Sequence, residues 1–190
     1  MTSVAPSALH IELPPWVDEL VAGFSRPLLD DAACMALTVA LSEENVNRGG
    51  GPFGSTVFLE GRLIAASVNL VLSSGFSLAH AEIMALMRAQ AALGSVANSL
   101  PPITLFTSTE PCCQCFGALV WAGVRRLLCA ATTADAEAVG FDEGPKPEGW
   151  VSVLRARGIE VQTELLRADA QAVLQGYVQR GGRIYGKPSA

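Results

Sequence analysis

Histidine is nearly missing from this sequence, with two in 190 residues. Charge is sparse too, at 16% of residues, and thirteen Lys and Arg against eighteen Asp and Glu leave a net charge of −5. Proteins that grip a phosphate backbone usually carry a basic surplus, because counterion release drives that binding. The acidic balance turns the expectation toward a small-molecule substrate and leaves only a local basic patch open. No apolar stretch runs to about 18 residues without a polar or charged interruption, so no membrane-spanning helix is expected. Met1 to Leu9 hold no Lys or Arg and lead into no hydrophobic signal core. Repeats and low-complexity tracts are missing as well. Five cysteines are an odd number, and three crowd together as Cys112, Cys113 and Cys115. That is a poor disulfide framework and a good metal-ligand pattern, and a cytoplasmic protein is expected. What the chain has in plenty is apolar residues, 50% of the total, enough for a large core in one domain.

Pro6, Pro14, Pro15 and Pro27 mark residues 1–27 as an irregular lead-in with one short helix around Trp16–Phe24. A domain over 28–180 follows, then a tail over 181–190 loosened by Gly181, Gly182 and Gly186. Within the domain, Leu29, Ala33, Ala36, Val39 and Ala40 predict a helix from Leu28 to about Arg48, ended by Gly49-Gly50-Gly51-Pro52. Ser55–Leu59 and Ile64–Val71 read as a hairpin around Glu60-Gly61-Arg62. A helix over His80–Leu93 places Ile83, Leu86 and Met87 on one face. Strand, helix, strand are then expected at Ile103–Thr107, Cys112–Ala122 and Arg126–Ala131. A Gly/Pro-rich loop over 139–150 leads to a helix near Trp150–Arg157, a strand near Ile159–Leu165 and a helix near Ala168–Gln179. Strands alternating with helices favour parallel pairing and helices on both sheet faces. The expected fold is a three-layer α/β domain whose mixed, mostly parallel central sheet has about five strands, the hairpin adding an antiparallel strand at one side.

The chemistry concentrates in two clusters. His80-Ala81-Glu82 opens one predicted helix, and about thirty positions later Pro111-Cys112-Cys113-Gln114-Cys115 opens another. Cys112 and Cys115, three apart, share a helix face. Orphan N–H groups and the partial positive charge of a helix N-terminus favour thiolate, the metal-binding form. One nitrogen and two sulfurs suit zinc, and three protein ligands leave the open position that a catalytic site keeps for water. Such water has its pKa lowered to about 7, and Glu82 is placed to move protons between it, a ring nitrogen and a leaving amine. H-x-E with P-C-x-x-C is the signature of the zinc deaminases. Taken singly the pieces have plainer readings: His80 as a helix cap or core residue, the cysteines as a redox pair, Cys113 as a fourth ligand. The last conflicts with the roughly 100° between adjacent helix residues. Cys34 and Cys129 sit in apolar patterns and read as core. His10 reads as a surface or packing residue.

These clusters, with Gly51-Pro52-Phe53-Gly54, Asn69, Thr107-Ser108-Thr109-Glu110-Pro111, Gly117-Ala118-Leu119-Val120-Trp121 and above all Gly140-Phe141-Asp142-Glu143-Gly144-Pro145, make the chain resemble the cytidine deaminase-like superfamily. More narrowly, over about residues 10–186 it resembles bacterial guanine deaminases, including a branch that also accepts the triazine ammeline. The resemblance implies the cytidine deaminase-like α-β-α fold, a homodimer with one Zn2+ per chain, and guanine converted to xanthine and ammonia. It implies metal ligation by His80, Cys112 and Cys115, with His80 also at the substrate, and proton transfer by Glu82. It makes Glu143 a second carboxylate at the substrate, with Asp142 as the alternative in that loop. Asn69, eleven residues before His80, hydrogen-bonds the base under the resemblance, whereas by itself it reads equally as a strand cap. Phe53 lines either pocket or core, and Trp121 reads as core. Ile184-Tyr185 resembles a tail that closes the pocket over substrate; a frayed terminus is the plain reading. Cys113 departs from relatives that carry a non-ligand residue there. Two rival functions stand beside this one: a deaminase of tRNA adenosine or of cytosine and cytidine, and a non-catalytic, zinc-stabilised binding domain.

Overall fold

Glu60 and Gly61 turn the chain between strands β1 (Gly54–Leu59) and β2 (Arg62–Val68), both at positive φ of 50° and 75°. That is the type I′ geometry whose twist matches antiparallel strands. Arg62, expected in the turn, is the first residue of β2 and pairs with Leu59. In the computed structural model residues 9–24, 30–94 and 101–186 are described. The expected helix start at Leu28 and Leu29, Pro6 and Pro27 of the lead-in, and residues 187–190 of the tail lie outside them.

Three further strands, β3 (Ile103–Thr109), β4 (Val124–Ala131) and β5 (Glu160–Gln162), complete a five-stranded sheet in the order β2-β1-β3-β4-β5. β1 is antiparallel to both neighbours, while β3, β4 and β5 run parallel. The antiparallel strand is therefore inserted inside the sheet, with β2 at its edge.

Helices cover both faces. On one, α4 (Ala81–Leu93), α5 (Cys113–Trp121) and α7 (Trp150–Ala156) pack Ala85, Leu86, Ala89, Leu119 and Leu154 against Val57, Leu105 and Leu127. On the other, α2 (Asp31–Asn47) and α8 (Arg167–Gln179) pack Met35, Val39 and Leu174 against Phe58, Phe106 and Leu128. Each fully buried Leu, Met or Phe contributes roughly 1.5–3 kcal/mol by leaving water, so these two layers hold the sheet. Asp30 caps α2 by accepting from the Ala33 N–H at 2.7 Å. The short helix of the lead-in is α1 (Trp16–Gly23), whose Trp16 and Val17 join Leu37, Leu41 and Val68 in a third cluster. Two short helices, α3 (Val71–Ser74) and α6 (Thr133–Ala138), were not expected. No helix among the described residues is long and apolar enough to cross a membrane.

Two apolar positions differ from expectation. Trp121, read as core, is 69% exposed, and Met87, placed on the buried face with Leu86, is 57% exposed. In α5 the buried stripe is Cys115, Leu119 and, just past the helix, Ala122, and two residues beyond Leu119 is about 200° around the helix. In α4 the stripe runs through Ala81, Ala85 and Ala89, which puts Met87 on the opposite side. Cys34 and Cys129 are buried, and His10 is exposed, as expected.

Candidate active site

His80 and Cys112 are the N-cap residues of α4 and α5, and Cys115 lies one turn into α5. Two strand-to-helix connections thus bring residues 32 apart in sequence to one point. His80 Nδ1 lies 3.4 Å from Cys112 Sγ and 3.6 Å from Cys115 Sγ, and the three ligand atoms fall within 4.8 Å of one another. Zinc–ligand bonds of about 2.0–2.3 Å at tetrahedral angles put donors roughly 3.5 Å apart, so the set fits zinc. The two thiols share a charge: the hydrogen bond from Cys115, helped by His80, pulls Cys112 down to about 4. The same hydrogen bond and burial push Cys115 up. Cys113 is not in the cluster; its Sγ packs where a Cβ on Gly144 would approach to 2.5 Å.

The pocket beside this cluster is lined by Phe53, Asn69, His80, Glu82, Thr109, Glu110, Cys112, Phe141, Asp142, Glu143, Tyr185 and Gly186. Phe53, Asn69, His80, Glu82, Cys112, Glu143 and Tyr185, all singled out in the sequence, are there together with Asp142, while Cys115 is fully buried and does not line the pocket. Glu82 is 7% exposed, and its carboxyl is raised above the ordinary range by burial first and the Cys112 charge second. Glu143 is pushed up to about 8 by burial, then by Cys112 and Glu82, with Lys146 opposing. Asp142, the alternative to Glu143, is exposed and accepts from the Gly144 N–H at 2.8 Å, so its carboxylate serves its own loop.

The loop after α6 is held against α5. The Glu143 carbonyl accepts from the Cys113 N–H at 2.9 Å, satisfying an orphan donor at the helix start. Lys146 Nζ donates to the Pro111 carbonyl at 3.0 Å and to Thr133 Oγ1 at 2.5 Å, and stands 4.7 Å over the Trp150 ring. Glu110, 4.0 Å from Lys146, accepts from the Thr133 N–H at 2.9 Å.

Asn69 is buried just past β2, and its Oδ1 accepts from the Val71 N–H at 3.1 Å, so it does cap the chain there. Its carbonyl and that of Gly51 both accept from Asn45 Nδ2, at 3.0 and 2.7 Å. Asn45 staples two pocket segments together, and within the polar run Ser42-Glu43-Glu44-Asn45 nothing in the sequence sets it apart. Phe53 touches Phe141 edge-on with ring centroids 4.9 Å apart, and it also packs against the core, so both its readings hold. Tyr185 meets Phe141 edge-on at 5.3 Å, and its hydroxyl is buried without a partner. The tail reaches this position over Tyr177, whose hydroxyl donates to the Arg183 carbonyl at 2.5 Å. Gly182 permits that crossing, since a Cβ there would lie 2.5 Å from the Tyr177 ring.

Comparison with known proteins agrees with this geometry. The chain is similar to a guanine deaminase of Bacillus subtilis, 42% identical over 106 residues covering 55% of this chain and 67% of that enzyme. A tRNA-specific adenosine deaminase of Buchnera aphidicola is 33% identical over 136 residues, 72% of this chain and 83% of that protein. Among solved structures, a guanine deaminase from Nitrosomonas europaea superposes with a TM-score of 0.83 at 47% identity, covering 92% of this chain and 98% of that one. Residues 29–131, which carry His80, Glu82, Cys112 and Cys115, match the cytidine and deoxycytidylate deaminase zinc-binding region, and the chain belongs to that family.

Proposed function

We propose that the protein is a zinc-dependent hydrolytic deaminase of a free nucleobase, converting guanine to xanthine and ammonia. One juxtaposition carries this reading. A buried carboxyl, Glu82, lies beside a donor set of one nitrogen and two sulfurs, in a pocket that also holds the buried Glu143. The likeness to guanine deaminases over nearly the whole fold supports the choice of base.

His80 through Nδ1, with Cys112 and Cys115, holds one zinc ion per chain. Bound there, zinc supplies a Lewis acid that makes water a nucleophile near neutral pH. Glu82 accepts a proton from the attacking water and returns protons to a ring nitrogen and the departing amine. Its raised pKa suits exchange in both directions. Asn69 offers its amide N–H groups to the base, its oxygen being engaged with Val71. Glu143 binds the ring's polar edge from the opposite loop, and Phe53 flanks it. Residues 28–180 form the deaminase domain. The tail from 181 acts as a lid, a role supported by Tyr185 lying in the pocket wall against Phe141. A homodimer is favoured by Leu78, Met87 and Trp121, large apolar residues that α4, α5 and the segment before α4 leave exposed. Five free cysteines fit a reducing cytoplasm.

Ammonia release from guanine, ammeline, adenine, cytosine, guanosine and tRNA tests the reading. Guanine should be fastest and free base faster than nucleoside, with ammeline also turned over. Cytosine or tRNA as the best substrate would reject the guanine assignment, and no ammonia from any of them would leave a zinc-stabilised binding domain.

A further inference from the structure

Among the described residues, two buried side-chain polar atoms have no hydrogen-bond partner, Thr109 Oγ1 and Tyr185 Oη, and both residues line the same pocket. Elsewhere in the interior comparable hydroxyls are paired. Thr38 and Thr56 share a 2.7 Å hydrogen bond, Ser42 donates to the Val39 carbonyl at 2.7 Å, and Ser55 to the Phe106 carbonyl at 2.8 Å. Leaving a buried hydroxyl unpaired is costly, and an apolar side chain of the same shape would serve packing better. Two orphans at one pocket are a feature of a surface shaped for something other than the protein itself.

We infer that Thr109 is a specificity residue that hydrogen-bonds the purine; the inference rests on the guanine deaminase reading above. Thr109 is the last residue of β3, paired with Ala131 of β4, and is 3% exposed. The next residue keeps the register, the Glu110 N–H donating to the Ala131 carbonyl at 2.8 Å. Side chains alternate along a strand, so Thr109 points to the same sheet face as Ile103 and Leu105. That is the face of α4 and α5, which carry Glu82 and the cysteines. A β-branched side chain on a central strand holds its rotamer, so the hydroxyl is aimed before substrate arrives. A hydroxyl both donates and accepts, which matches a ring that presents N–H and C=O groups side by side.

The test uses the zinc-loaded full chain with Thr109→Val, which keeps the shape and removes the hydroxyl, and Thr109→Ser, which keeps the hydroxyl. kcat/KM for guanine, the Kd of xanthine by calorimetry, and the ligand-free Tm are measured. Thr109→Val should lose about three- to tenfold in kcat/KM and in xanthine affinity, as expected for one neutral hydrogen bond. Its ligand-free Tm should stay or rise, because an unsatisfied hydroxyl has been removed. Thr109→Ser should stay within about twofold of wild type in both activity and binding. Wild-type turnover and xanthine binding in Thr109→Val overturn the inference. So does a lowered Tm in that variant, which would make the hydroxyl structural. A wild-type chain that neither deaminates guanine nor binds xanthine overturns the guanine reading itself; an active wild type with an indifferent Thr109→Val overturns only the role of Thr109.

Discussion

Two glycines three residues apart should fail in different ways when given a methyl group. A Cβ on Gly51 would overlap the Tyr185 hydroxyl and lie 2.9 Å from Tyr185 Cζ and 3.1 Å from Asn69 Oδ1. A Cβ on Gly54 would lie 2.6 Å from the Thr38 carbonyl and 2.9 Å from the Ser42 N–H, both backbone of α2. Neither glycine has a positive φ, so only these contacts oppose alanine. At Gly51 the obstacle is the far end of a tail side chain, which can swing out. The structure then loses the aromatic contact between Tyr185 and Phe141, worth about 0.5–1.5 kcal/mol, while regaining solvent for an unpaired hydroxyl. Gly51→Ala should therefore keep its zinc and a Tm close to wild type. Because the tail no longer closes the pocket and water enters, kcat/KM for guanine should fall on the order of tenfold or more. At Gly54 the obstacle is a helix packed on the sheet. Gly54→Ala should cost about 1–3 kcal/mol of stability or more, the usual range for overpacking. Denaturant unfolding, zinc analysis and steady-state kinetics on both variants decide the matter. If Gly51→Ala retains wild-type kcat/KM, Tyr185 is an ordinary tail residue; if it unfolds like Gly54→Ala, the tail is part of the core.

Glu82→Gln should keep zinc and fold but lose on the order of 10²–10⁴ in kcat, the range of general acid–base catalysis, and near-normal turnover would falsify its role in proton transfer. Cys115→Ala should abolish tight metal binding by elemental analysis of washed protein; full occupancy would point to a different ligand set. Asp135, held at about 2 against the ordinary 3.8 by the Arg167 guanidinium, should contribute stability that is complete above about pH 4 and lost as pH falls through about 2. Asp135→Asn should cost about 1–2 kcal/mol at neutral pH, after discounting for the exposed side of Arg167, with the gap to wild type closing below pH 4. A gap that persists at pH 2 in urea titrations would show that the charge is not its cause.

Short-range spacing was enough to pick out the His80, Cys112 and Cys115 set that the fold brings together. His80, Glu82, Cys112 and Cys115 sit at helix starts, where the residues that follow announce the helix and the ligand's own offset fixes its direction. The hairpin around Glu60-Gly61 and the parallel β3-β4-β5 order were legible for the same reason, since each depends on periodicity within one or two elements. Three other things were decided by contacts between distant segments. The insertion of β1 between β2 and β3 depends on pairing Ser55 with Thr107, more than fifty positions away. The exposure of Trp121 and Met87 depends on which side of each helix meets the sheet, and an apolar residue off the stripe carries no mark of that. Asn45, Thr109 and Lys146 look like ordinary polar residues until the fold sets them against Gly51 and Asn69, the pocket, and the Pro111 carbonyl. Local pattern carries the chemistry of the ligands because a helix or strand is built from neighbours in sequence. The pocket walls come from six separate stretches of chain, and only the packing of α2, α4, α5 and α8 on one sheet brings them together.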